Sequence, residues 1–229
     1  MHPSHPLDSC LSDSQKKFKL FAMLKRTKGR LLLSLLVITG LAGAINDTAI
    51  SSKERKASAG LMKDTKSELF KSVKGLSEAQ LNFKPAADRW SVKECVYHIA
   101  IVEKALWQLM EMTMKAPANP EKRAEIKVTD EEFIKMIEDR SKKVKTSETM
   151  EPKAATYKSM DEALADFKTQ RTDHIKYVKT TTEDLRNHVA QLPFGWVDCY
   201  QLTLMISAHT NRHNQQLNEV KADPGFPKQ

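Results

Sequence analysis

Glycine and cysteine are both scarce here: seven glycines and three cysteines in 229 residues. So few glycines argue against a fold built from many tight positive-φ turns, as all-β domains are. Cys10, Cys95 and Cys199 are too few for a disulfide framework. Cys95 and Cys199 could pair in an oxidising compartment, but we read them as two buried small hydrophobes. The chain has no Gly-rich phosphate loop, no nucleophile elbow and no internal repeat. Its longest apolar run, residues 31–44, is short of the roughly 20 residues a membrane span needs.

What is present is 40% hydrophobic and 29% charged, the balance of a globular helical protein. The net charge of +8 is uneven. Residues 1–44 carry seven of the 37 Lys/Arg and two of the 29 Asp/Glu, which leaves 30 basic and 27 acidic groups beyond them. That is an ordinary solvated surface without a nucleic-acid patch. Lys25, Arg26, Lys28 and Arg30 precede the apolar run, which closes on Ala42-Gly43-Ala44. A basic start, a short apolar stretch and a small-x-small ending form a signal-peptide-like leader over 23–44. Export to a periplasmic or extracellular location follows as an expectation, with no stable membrane span after cleavage and an uncleaved anchor as the alternative. Residues 1–22 sit upstream of a leader that Met23 could open by itself.

The domain expected over 45–229 is all-α, a four-helix bundle. A first helix spans about 50–74 and stops at Gly75. The second opens on Ser91-Val92-Lys93-Glu94, a capping box, and carries an apolar stripe from Val92 to Met110. Residues 116–158 form a long polar link that holds one short amphipathic segment with Phe133, Met136, Ile137 and Val144. Such a crossover between the second and third long helices lets them run parallel. The third helix starts near Ser159, with Glu162 completing a second box, and reaches about Leu185. Residues 192–196 are a break, and Asp198 caps a fourth helix that continues to about Lys221.

Inside that last helix lie His209 and His213. Four residues apart, they leave the same helical face, about 40° and 6 Å from one another. Leu202, Ile206, Leu217 and Val220 share that face, so two imidazoles are placed among inward-facing apolar side chains. Their nitrogens need a partner there, and a divalent metal is one. A pair supplies only two ligands, and His98, at the edge of the second helix's stripe, offers a third.

With these three histidines the chain resembles the DinB-like (DinB/YfiT) family of four-helix metalloenzymes over roughly residues 55–227. The likeness rests on Arg89-Trp90-Ser91-Val92-Lys93-Glu94-Cys95-Val96-Tyr97-His98-Ile99 and on His209-Thr210-Asn211-Arg212-His213. It implies a metal held by His98, His209 and His213 at one end of the bundle, with open positions for water or a small-molecule substrate. Zinc or nickel fits first, with iron or manganese as further candidates. It implies hydrolase or thiol S-transferase chemistry, or alternatively a non-catalytic bundle in which the metal is structural, and it allows a homodimer. The export leader departs from the family pattern and sets a cytoplasmic thiol cosubstrate in doubt.

Other residues carry two readings each. Glu94 could orient His98 or act on bound water, but capping fits it better. His174 is a candidate fourth ligand, against a satisfied buried histidine. Arg212 could meet an anionic substrate at the bundle mouth, but a surface arginine fits it better, and it and Asn214 should splay away from the metal face. Trp90, Trp107, Tyr97 and Trp196 could wall a pocket or pack between helices. His188, beside a loop, is given no role.

Overall fold

The computed structural model describes residues 49–228. The leader-like segment, residues 1–22 and Cys10 lie outside the described residues. In chain order the elements are α1 (Ser52–Val73), α2 (Glu78–Asn82), α3 (Val92–Lys115), α4 (Asp130–Glu138), α5 (Met160–Thr180), β1 (Val189–Leu192), β2 (Gly195–Asp198) and α6 (Cys199–Lys221). Short 3-10 turns at Pro120–Glu125, Glu148–Met150 and Pro152–Ala154 punctuate the crossover.

The helix starts follow local chemistry. Ser51, Ser77, Ser91 and Thr129 each form a full capping box with the Glu or Gln three residues on. Each such cap contributes about 1 kcal/mol. At α5 the box is half made: Ser159 accepts from the Glu162 amide, but the Glu162 carboxylate turns to the Lys158 amide instead. Gly75, at φ +74, lets the chain turn sharply just after α1.

The four long helices pack in the order α1, α6, α3, α5 around the bundle, so the successive helices α1 and α3 lie on a diagonal. Helix α1 runs with α6: Ser58 and Thr203 hydroxyls meet at 2.9 Å near their starts, and Lys221 Nζ donates to Ser72 O near their ends. Helix α3 runs against α6, since Cys199 near the start of α6 packs on Met110. Helices α3 and α5 are parallel, with Cys95 and Ile99 clustered against Met160 and Phe167, and Trp107 stacked on His174 further along. The parallel pair expected from the long link is what forms, and α4 of that link lies on α6.

Two apolar clusters fill the ends. One gathers Leu69, Cys95, Phe167 and Leu217, and the other Met62, Phe133, Val178 and Leu202. Each Leu, Val, Met or Phe side chain among them contributes about 1.5–3 kcal/mol when buried. Between them runs a polar belt centred on Arg171, which is fully buried. Its guanidinium forks onto both Glu103 oxygens at 2.7 and 2.6 Å. It also donates to Met62 O, Thr65 Oγ1, Ile206 O and Thr210 Oγ1, and so touches all four long helices. Burial alone raises the Glu103 carboxyl, but Arg171 and then His174 hold it below the usual carboxylate range.

Several expectations need correction. The third long helix ends at Thr180, where the Thr181 amide bonds Tyr177 O; Leu185 is buried in the loop beyond it. The break around residues 192–196 is the turn of a hairpin, with Val189 paired to Asp198 and Leu192 to Gly195. The Asn119 side chain both donates to Val189 O and accepts from its amide, which finishes the hairpin's outer edge. Of the crossover's apolar set only Phe133 is fully buried, while Met136 and Val144 are exposed. Cys95 and Cys199 are buried and free, one near each end of α3, so they do not pair.

Candidate metal centre

His98 sits two turns into α3, about 9 Å from its start. His209 and His213 occupy the facing side of the antiparallel α6. The three rings meet: His98–His213 and His209–His213 centroids are each 4.5 Å apart, and His98–His209 5.0 Å. One nitrogen from each ring lies within 4.8 Å of the others. His98 Nε2 and His209 Nε2 are 3.2 Å apart. Two imidazole nitrogens bound tetrahedrally to zinc at about 2.0–2.1 Å are separated by about 3.3 Å. The donor set and spacing therefore fit a divalent cation.

Two of the three outward nitrogens are already used. His98 Nδ1 donates to Met150 O at 2.6 Å, which leaves Nε2 as its lone-pair nitrogen. His213 Nδ1 faces Gln216 Oε1 at 2.9 Å. Burial pushes all three imidazoles below the ordinary histidine value, furthest at His209 and His213, where the neighbouring rings add to it. Metal coordination needs neutral imidazole, and this environment provides it. Trp90, just before the α3 cap, covers one side, 4.8 Å from His98 and nearly parallel to His213 at 5.8 Å.

The remaining candidates are placed elsewhere. Glu94 accepts from the Ser91 amide with one oxygen and pairs with Lys84 through the other, at 2.8 and 2.7 Å. It is a cap. His174 lies in the polar belt, bonded to Glu103 at 2.8 Å and stacked 3.7 Å from Trp107, and is not a fourth member of the cluster. Arg212 is buried rather than at a mouth: it donates to Ile137 O, Asp139 O and Lys142 O and holds down the end of α4. Asn214 donates to Thr65 O. Tyr97 packs on Tyr157, and Trp196 lies under Lys122, so of the four aromatics Trp90 and not these two borders the rings. His188 faces Thr113 O.

Sequence reasoning missed Met150, Gln216 and Arg140 around the histidines, and Arg171 beneath them. Gln216 could have been found, since it follows His213 by one helical turn. A backbone carbonyl such as that of Met150 leaves no trace in residue type.

The DinB superfamily model matches residues 61–217. An uncharacterized protein, YuaE of Bacillus subtilis (strain 168), is 26% identical over 163 residues, 70% of this chain and 95% of its own length. The solved structure of YfiT from Bacillus subtilis, described as a probable metal-dependent hydrolase with an unusual four-helix bundle topology, has a TM-score of 0.54. It matches 78% of this chain and 92% of its own at 13% identity, a likeness of fold. The family match spans well over half of the sequence: the chain belongs to the DinB superfamily.

Proposed function

We propose that His98, His209 and His213 hold one divalent metal ion, zinc or nickel first, and that the protein is a metal-dependent hydrolase acting on a small molecule. The observation that carries this is the convergence of three neutral imidazoles whose nitrogens lie within 4.8 Å, with His98 and His213 tied outward through Nδ1. A divalent ion on three protein ligands keeps positions open, polarises a substrate oxygen and acidifies water to a pKa of about 7. The chain's own part is to keep the rings neutral, to orient them, and to close one side with Trp90. Hydrolysis requires only water. Thiol S-transfer needs a thiol from outside, because Cys95 is fully buried with its thiol pushed up and Cys199 packs at the far end of α3.

Elemental analysis of the mature protein beside its His98/His209/His213 triple-alanine variant tests the metal. About one equivalent in the former and none in the latter is expected, and equal content in both refutes the site. Turnover of an ester and amide panel, with and without added thiol, tests the reaction. Turnover only with thiol replaces hydrolysis by transfer. Sequencing the N-terminus of protein recovered outside the cell tests export, with cleavage after Ala44 expected.

A further inference from the structure

The crossover contributes to the orientation of both His98 and His213. Met150 O accepts from His98 directly. At His213 the link has one more member. Arg140, in the crossover just after α4, donates through Nη1 to Gln216 Oε1 at 3.2 Å. The same oxygen faces His213 Nδ1 at 2.9 Å. Arg140 is itself fixed by Glu219, through Nε at 3.1 Å and Nη2 at 2.7 Å.

We infer that Arg140 is a positioning residue that sets the tautomer of His213 through Gln216. A carboxamide has a donor end and an acceptor end, and either could face a histidine. A guanidinium only donates, so the Gln216 atom beside Arg140 is the carbonyl oxygen. That oxygen must then accept from His213, which carries its hydrogen on Nδ1 and keeps Nε2 as its lone pair to offer the cluster. Remove the guanidinium and the amide is free to turn its NH2 toward His213 Nδ1. The hydrogen then moves to Nε2, and the lone pair a cation needs is lost. A distal donor thereby decides which ring nitrogen is free, as partners of ligating histidines do.

This inference rests on the metal reading for its consequence, but its test does not. Long-range 1H–15N correlation spectra of the metal-free protein report which nitrogen of His213 is protonated. The wild type is expected in the Nδ1–H form, and Arg140→Met shifted to the Nε2–H form. Adding Gln216→Glu to Arg140→Met should restore Nδ1–H, because a carboxylate has no donor end to present. A merely structural role for Arg140 gives no such rescue. Gln216→Leu, at a half-buried position, should also lose the Nδ1–H form, which keeps the test open if Arg140→Met folds poorly. Zinc affinity measured by chelator competition should fall about 10–100-fold in Arg140→Met and recover in the double variant. An unchanged tautomer in Arg140→Met or Gln216→Leu, or no recovery in the double variant, overturns the inference. A wild type that shows these tautomers yet takes up no zinc removes the metal reading and leaves the tautomer control standing.

Discussion

His98 Nε2 and His209 Nε2 lie 3.2 Å apart across the α3–α6 interface, although 111 residues separate them in the chain. Nitrogens this close, with the His98 proton held on the other side of its ring by Met150 O, share either a hydrogen or a cation. The first prediction follows from that choice.

Alanine at His98, His209 or His213 is expected to abolish stoichiometric metal, with each metal-free variant melting within a few degrees of the metal-free wild type. Added zinc should stabilise the wild type by about 2.7 kcal/mol when free metal is 100 times Kd, and leave His209→Ala unmoved. Differential scanning calorimetry with and without metal reads both. A metal-free wild type that is already unfolded points instead to a structural metal.

The metal-free protein should lose stability as pH falls below about 6.5, the ordinary histidine value. Folding holds His98, His209 and His213 below that value, so in this window the unfolded chain binds protons that the folded chain refuses. The contribution is flat above the window and levels off once the folded-state values are reached. Urea midpoints across this range should show the slope in the wild type, and a shallower one in the triple-glutamine variant.

Arg171→Met should cost about 3–5 kcal/mol, because Glu103 is left charged and buried without its partner. Replacing Glu103 by Met as well should recover much of that loss. His174→Ala, in the same belt, should leave the metal content unchanged. Urea unfolding and elemental analysis of the three variants separate belt from cluster.

Cys95 and Cys199 should both resist a thiol reagent in the folded protein and react once it is unfolded. Both are buried, and burial pushes the Cys199 thiol up to about 12. Peptide mapping after labelling reads each of the two separately.

The elements most legible in the sequence were those that local chemistry decides. Ser91 with Glu94 marked the start of α3, Asp198 the start of α6, and the four-residue spacing of His209 and His213 the face they share. The hairpin escaped because its strands are four residues each and its edge is completed by Asn119, some 70 positions away. Arg171 escaped for a similar reason. Nothing near it in the chain shows that a charge on α5 finds its carboxylate on α3 and its other acceptors on α1 and α6. Arg212 was expected at the surface, and is buried instead because the end of α4 had carbonyls in need of a donor.

The diagonal placement of α1 and α3 makes α6 one of the two long helices through which they meet. The Ile206 and Thr210 oxygens that complete the coordination of Arg171 belong to α6, as do two of the three imidazoles. Sliding α6 along its axis therefore disturbs the buried guanidinium and the imidazole cluster together, so neither can be loosened alone.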